Sequence, residues 1–183
     1  GTNAYLPKEI SVKWAGEMPD TFHARHSALS RRYRYVIINT AVRPGLLRCN
    51  MTWQYRQLNH ELMHEAAQHL IGEHDFTSFR SVECQSKTPM RCIHAIEVSR
   101  YGDRVMIDLT ANAFLHHMVR NIVGVLMKVG MGLNHTSWVM EVLEAKDRRK
   151  GAETAPAYGL YLVQVIYKDE YDMYKTTLGH WLV

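Results

Sequence analysis

The spacing of apolar and polar residues along the chain predicts five strands. Residues 31–39 are rich in β-branched and aromatic side chains, which favours a strand, and Pro44-Gly45 follows as a break. A hairpin is predicted where two alternating segments, residues 93–99 and 105–110, flank the turn Tyr101-Gly102-Asp103. The other two strands are predicted at residues 10–14 and 160–167.

Three helices are predicted from apolar positions that recur every three or four residues. The first begins after Asn59, a favourable N-cap, and stops at Gly72. The second covers residues 114–129, and the third is capped by Thr136 or Ser137. Strand pairs therefore alternate with helices in the order β, β, α, β, β, α, α, β. This order predicts an α+β protein, with a mixed or antiparallel sheet flanked by helices.

Positive charge is concentrated in one part of the chain. The 183 residues contain 22 Lys plus Arg and 18 Asp plus Glu, a formal net charge of +4. Residues 21–56 contain no Asp or Glu and seven arginines, which are Arg25, Arg31, Arg32, Arg34, Arg43, Arg48 and Arg56. An acidic polymer such as a nucleic acid is the partner that this segment favours.

The cysteine content and the length of the apolar runs limit the cellular compartments that fit this chain. The three cysteines are an odd number and have no C-x-x-C spacing, which argues against a disulfide framework and against a thiolate zinc site. A reducing compartment such as the cytoplasm fits this usage. No apolar run approaches the length of a membrane span.

The string Arg31-Arg32-Tyr33-Arg34-Tyr35 opens the strand predicted at residues 31–39. Alternation places Arg31, Tyr33 and Tyr35 on one face and the other two arginines on the opposite face. In one interpretation the strand emerges from the core into a cleft, where guanidinium groups meet phosphates and a phenol ring stacks on a base. In the alternative it is an edge strand whose arginines are solvated.

Residues 60–64, with the sequence HELMH, match the H-E-x-x-H pattern of zinc hydrolases. In that pattern His60 and His64 would bind the metal and Glu61 would act as the base. The match lies in the first turn of its helix, and no third ligand is obvious beyond Glu73 or Glu83. The alternative is that both histidines are solvated at the start of a helix.

The second predicted helix carries a cation among apolar residues. Arg120 follows Val119 and precedes Asn121 and Ile122, and a buried arginine requires a carboxylate. No candidate is evident in the sequence, so either Arg120 is exposed or its partner lies on polypeptide outside these residues. His116 and His117 are expected on different sides of the helix, as phosphate contacts or surface residues.

Four segments, in this order and spacing, resemble the TruA-type tRNA pseudouridine synthases: FHARHSALSRRYRY, DFTSFRSVECQSKTP, ANAFLHHMVRNIVG and GLYLV. The resemblance extends from about Asn3 to the region of Tyr171 and Asp172. It implies the C-terminal half of the pseudouridine synthase fold. It also implies that the helix beginning at Asn59 is part of this fold and has no need of a zinc-binding pair.

The resemblance implies isomerisation of uridine to pseudouridine in the anticodon arm of tRNA, with no cofactor and no metal. It implies that Tyr33 stacks on the target base and is a candidate to take its proton. Arg120 is implied to pair with the catalytic aspartate, and Leu160 to pack against the uracil. The RNA contacts expected from the resemblance and the charge pattern are His23, Arg25, Arg31, Arg34, Arg80, Lys87, His116 and His117. The family is homodimeric, so tRNA and a second copy are the expected partners.

One departure from the family concerns its nucleophile. The catalytic aspartate lies in a Gly-Arg-Thr-Asp-Ala-Gly motif, which does not occur in these 183 residues. Residues 1–183 are therefore expected to be the C-terminal catalytic and RNA-binding portion of a longer enzyme and to be inactive alone. Whether about residues 1–20 are the end of a preceding domain stays open. The alternative from another class is a non-catalytic RNA-binding module.

Overall fold

The computed structural model describes residues 1–46 and 48–171, so Asp172, at the end of the family resemblance, lies outside the described residues. It is an α+β fold, as the sequence predicts, with a mixed sheet and three helices. The strands are β1 (Ser30–Asn39), β2 (Thr52–Gln54), β3 (Gly72–Asp75), β4 (Met90–Tyr101), β5 (Arg104–Ala111) and β6 (Leu160–Ile166). The helices are α1 (His60–Gln68), α2 (Met118–Gly130) and α3 (Trp138–Ala145).

Strand β1 lies at the centre of the sheet and uses both of its edges. One edge pairs antiparallel with β5, which continues through β4 to β3. The other edge is divided, because its first half pairs antiparallel with β6 and its end pairs parallel with β2. The basic start of β1 is therefore enclosed between β5 and β6.

The two faces of β1 have different environments. Tyr35 and Ile37 are fully buried in the core, together with Ile107 and Leu109 of β5 and the apolar residues of the helices. Arg32 and Arg34 alternate with them and lie on the opposite face. The predicted alternation is therefore present, and Tyr33 and the core share one face.

Helix α1 begins as the sequence predicts and covers an edge of the sheet. The Asn59 side chain accepts hydrogen bonds from the main-chain N–H groups of Glu61 and Leu62, at 3.0 and 3.1 Å. His64 Nδ1 accepts the N–H of Val98 at 3.2 Å, and Gln68 donates to the carbonyl of Ile96 at 3.2 Å. In the described residues, this stretch of β4 has no strand neighbour on that side.

Helix α2 is almost entirely buried and approaches a loop closely at Gly124. A Cβ built on Gly124 would lie 2.1 Å from the carbonyl oxygen of Glu153, so only glycine fits there without a shift. This contact fixes the loop after α3 against the helix that carries Arg120. Within the described part of the chain, no helix is long and apolar enough to cross a membrane.

Gly124→Ala is expected to lower the free energy of unfolding by about 1–3 kcal/mol, because the new methyl group meets a main-chain oxygen that cannot rotate away. Gly130→Ala in the same helix is the matched control. Its Cβ would meet the flexible side chain of Met63, which can move. Chemical denaturation of both variants tests the prediction, and equal stabilities would contradict it.

Several predicted boundaries are wrong. Residues 10–14 form no strand, because both main-chain polar atoms of Val12 bond to the side chain of Asn3. Helix α2 begins at Met118 and not at residue 114. Ser137 is the N-cap of α3, but its side chain makes no capping hydrogen bond and contacts His135 instead. The short strands β2 and β3 are absent from the prediction.

Candidate functional site

The structure brings Tyr33, Arg120 and Leu160 together around one cavity of about 370 Å³. Tyr33 comes from β1, Arg120 from the first turn of α2, and Leu160 is the first residue of β6. Arg120 and Leu160 lie where their elements begin, and Tyr33 lies in the first half of β1. The three residues for which the family resemblance implies a catalytic role therefore line the same space.

Tyr33 forms one wall of this cavity with Phe114. The two rings pack edge to face, with centroids 5.0 Å apart and an interplanar angle of 83°. Both side chains are partly buried, and both also line the adjoining larger cavity. No hydrogen bond of the Tyr33 hydroxyl is found within residues 1–46 and 48–171. The ring is thus fixed in position by packing, and the described residues leave its hydroxyl without a hydrogen-bond partner.

Arg120 is half-buried and is held by a main-chain carbonyl. Its Nε donates to the carbonyl of Ala155 at 2.6 Å, and its own carbonyl accepts the N–H of Ala155 at 3.2 Å. Among the described residues, no carboxylate forms a salt bridge with Arg120. The guanidinium is therefore oriented by the protein but keeps its charge available at the cavity.

The sequence predicts His116 and His117 on different sides of a helix, and this prediction is wrong. They precede α2, and their rings stack with centroids 3.9 Å apart. The reason is the backbone of His117, which is left-handed with φ of 61° and interrupts any helix there. Burial lowers the pKa of His117, and the charges of His116 and Arg120 lower it further. The imidazole of His117 is therefore neutral near pH 7.

A second cavity, of about 770 Å³, adjoins the first and is lined by polar residues. Arg25, Arg31 and Arg91 line it, and Glu83 is the carboxylate among its lining residues. Tyr33, Phe114, Leu115 and His116 line both cavities. The positive charge that the sequence places in residues 21–56 is thus partly directed to the space beside Tyr33.

His23, Arg25 and Arg31 form a connected loop at the edge of this larger cavity. Arg31 donates to the carbonyls of Ala28 and Asn112, at 3.0 and 2.8 Å, and also to the carbonyl of Arg25. His23 Nδ1 accepts the N–H of Arg25 at 3.1 Å. Arg31 therefore holds the loop against β5, whereas the side chain of Arg25 is exposed.

Arg34 lies away from the cavities, on the face of β1 opposite Tyr33. Its guanidinium binds both carboxylate oxygens of Asp108, with Nη2 at 3.1 Å from Oδ2, and Arg32 binds the same carboxylate at 3.0 Å. Asp108 is directly across from Arg34 in the pairing of β1 with β5. The sequence shows no carboxylate near this string, but the fold brings Asp108 to it. The side chain of Arg34 is therefore held in an ion pair on the face of β1 opposite Tyr33.

Arg80 and Lys87 lie on the loop between β3 and β4. Arg80 follows a short 3₁₀ turn and is half-buried, and Lys87 is exposed. The same loop contributes Cys84, Gln85 and Ser86 to the larger cavity. Both cations therefore belong to the segment that borders the cavity, although neither lines it.

The two histidines of the HELMH segment lie on α1, and one of them forms a hydrogen bond that connects the helix to the sheet. His64 uses Nδ1 to accept the N–H of Val98 in β4, and His60 is the first residue of α1. The described residues contain no group of three or more His, Cys, Asp or Glu that could hold a metal ion. Since a zinc site in a protein needs at least three such ligands, the zinc interpretation lacks a ligand set within the described residues.

Three residues at the site have no role in the sequence-based prediction. Phe114 packs edge to face against Tyr33, Arg91 lines the larger cavity, and Ala155 accepts a hydrogen bond from Arg120. Phe114 lies in the ANAFLHH segment, just before the two histidines, so the sequence could have indicated that it lies near the site. For Ala155 no signal exists, because it acts through a carbonyl that every residue has.

The sequence of the chain is similar to those of known proteins. Residues 66–168 match the family described as tRNA pseudouridine synthase. The tRNA pseudouridine synthase A of Legionella pneumophila (strain Lens) is 65% identical over 179 residues, which cover 98% of this chain and 68% of that relative. The chain belongs to the tRNA pseudouridine synthase family.

A second member of the pseudouridine synthase family gives the same coverage at lower identity. The tRNA pseudouridine synthase A of Shewanella denitrificans is 52% identical over 179 residues, or 98% of this chain and 69% of that relative. The segment that matches the family as a whole includes Phe114, Arg120 and Leu160. Tyr33 lies before it, on the strand that the fold places beside them.

Proposed function

We propose that this chain binds a uridine of tRNA in the 370 Å³ cavity and isomerises it to pseudouridine together with an aspartate from outside these 183 residues. The observation that carries the proposal is the convergence of Tyr33, Arg120 and Leu160 on one cavity of suitable chemistry. An aromatic ring and an aliphatic side chain offer apolar surface to a flat base. The guanidinium offers charge to a carboxylate.

The reaction breaks the N1–C1′ bond of the nucleotide and joins C5 to C1′, while the base stays bound. The proton on C5 must leave, and N1 ends protonated. Arg120 keeps the incoming aspartate ionised and directed at the reacting carbon. Tyr33 lines the cavity, which supports a role for its ring in stacking on the base and for its hydroxyl in accepting the C5 proton. Leu160 contributes apolar surface to the cavity that receives the base.

The larger cavity provides the path for the rest of the RNA. Arg25 and Arg91 line it, and Arg80 and Lys87 lie on the bordering loop. His23, His116 and His117 add hydrogen-bonding groups at its edges. We place the phosphates that flank the target nucleotide here, because guanidinium and lysine contacts position the RNA without reading its sequence. Base choice then depends on which uridine can leave its stack.

The wider proposal follows the family resemblance. It includes the anticodon arm as the region modified, a homodimer as the assembly and the cytoplasm as the compartment. The chain requires no cofactor in this proposal, because charge and proton transfer are supplied by side chains. The domain assignment is also proposed, with residues 1–183 as the C-terminal catalytic and RNA-binding portion.

A polypeptide of residues 1–183 is expected to bind tRNA but to show no turnover, because the sequence lacks the Gly-Arg-Thr-Asp motif that carries the nucleophile. Tritium release from unmodified tRNA labelled at C5 of uridine measures the reaction. The intact synthase, meaning these residues joined to an aspartate-bearing segment, is the positive control. It should be active without added metal or nucleotide.

Two results would contradict this assignment. Turnover by residues 1–183 alone would mean that the nucleophile lies within them. An intact synthase that binds tRNA without any turnover would favour the non-catalytic RNA-binding alternative. Circular dichroism of the shorter polypeptide shows beforehand that a lack of turnover does not come from misfolding.

A further inference from the structure

A three-residue segment, residues 154–156, contains Ala155, which forms hydrogen bonds with Arg120. We call it the Ala155 segment. Ala155 bonds to Arg120 through both of its main-chain polar atoms, with the carbonyl at 2.6 Å from Nε and the N–H at 3.2 Å from the Arg120 carbonyl. A movement of this segment would therefore turn the guanidinium.

The first anchor of the segment is the hydroxyl of Thr154. Its Oγ1 lies 2.7 Å from Oδ1 of Asn121 and 3.0 Å from Nη2 of Arg148. Because a guanidinium can only donate, Thr154 accepts from Arg148 and gives its single proton to Asn121. Asn121 is 2% exposed, and its amide also donates to the carbonyl of Phe79 at 2.7 Å. The anchor thus connects the segment to the interior of the protein.

The second anchor is the hydroxyl of Tyr35. It lies 2.7 Å from the carbonyl of Pro156 and 2.5 Å from Oγ1 of Thr52. Since a carbonyl can only accept, Tyr35 donates to Pro156 and Thr52 donates to Tyr35. Burial raises the pKa of Tyr35 to about 12, so the hydroxyl keeps its proton at neutral pH. The two anchors therefore hold the residues on either side of Ala155.

We propose that Thr154 and Tyr35 are positioning residues, which hold the Ala155 segment so that its carbonyl fixes the guanidinium of Arg120 in its working orientation. This inference rests on the role proposed above for Arg120. Neither residue lines the 370 Å³ cavity, so neither touches the base. Their effect should appear in the rate of the chemical step and not in binding, because misplacing a catalytic group by about 1 Å can cost roughly 10²-fold.

The test uses Thr154→Val and Tyr35→Phe in the intact synthase, since each removes one hydroxyl and little volume. We expect kcat to fall about tenfold or more for each variant, with KM for tRNA unchanged. Thr154→Ser keeps the hydroxyl, so its kcat should equal that of the wild type. Tyr161→Phe is the matched control, because Tyr161 also donates to a main-chain carbonyl, that of Asn50 at 2.5 Å, but has no bond to the segment.

Hydrogen exchange at the amide of Ala155 gives an independent readout. Exchange should be faster in Thr154→Val and Tyr35→Phe than in the wild type, and unchanged in Tyr161→Phe. Wild-type kcat in both folded variants, or a change confined to KM, would overturn the inference. Arg120→Met is measured beside them. If it retains activity, the proposed function fails, whereas its inactivity with wild-type rates for the hydroxyl variants refutes only the positioning role.

Discussion

Arg120→Met is expected to abolish pseudouridine formation by the intact synthase while changing the stability of residues 1–183 by no more than about 1 kcal/mol. Activity is lost because methionine cannot keep the aspartate ionised and aligned. Stability changes little because the hydrogen bond found for the Arg120 side chain goes to the carbonyl of Ala155, at the edge of a cavity that water can enter. Single-turnover assays and thermal denaturation measure the two effects.

Arg120→Lys separates charge from geometry in the same experiment. Lysine keeps a positive charge but lacks the planar fork that can bind a carboxylate and the Ala155 carbonyl together. It should therefore retain a small part of the activity of the wild type. A polypeptide of residues 1–183 that loses several kcal/mol through Arg120→Met would show that Arg120 is a structural residue, and the account of the site would then fail.

Tyr33→Phe is expected to reduce turnover by roughly 10²-fold or more, the range for a general acid–base group, and to leave tRNA affinity unchanged. The phenylalanine ring can still pack against Phe114 and stack on the base, so the hydroxyl alone is tested. Tyr33→Leu removes the aromatic ring as well and should weaken both binding and turnover. Pre-steady-state rates and filter binding distinguish the two variants.

Tyr101→Phe serves as the control for Tyr33, because Tyr101 is 58% exposed at the end of β4, next to the hairpin turn. It should behave like the wild type. Unchanged turnover in Tyr33→Phe would remove Tyr33 from proton transfer and leave it as a stacking surface. Another residue would then have to take the C5 proton.

Local patterns in the sequence predicted those parts of the fold that depend on neighbouring residues. The Asn59 cap, the β4–β5 hairpin and the alternation along β1 all depend on residues close in sequence, and all are present. The strands β2 and β3 escaped prediction because segments of three and four residues carry too little periodicity. The left-handed residue His117 likewise has no pattern that marks it, so the start of α2 was misplaced.

The site was predicted only where side-chain chemistry and family resemblance identify it. Tyr33, Arg120 and Leu160 do come together, although they are far apart in the chain. The partner of Arg34 could not be foreseen, because Asp108 meets it through strand register across 74 residues. The partner of Arg120 could not be foreseen either. Every residue has a main-chain carbonyl, and the sequence does not show which of them Arg120 contacts.

The hydrogen bonds between β4 and the side chains of His64 and Gln68 have a consequence for the solution behaviour of the chain. An uncovered strand edge presents free N–H and C=O groups, which can recruit a strand from another molecule and start aggregation. Here the N–H of Val98 and the carbonyl of Ile96 are already occupied by side chains of α1. The histidine that resembles a zinc ligand thus occupies one of the main-chain groups with which a strand of another copy could pair.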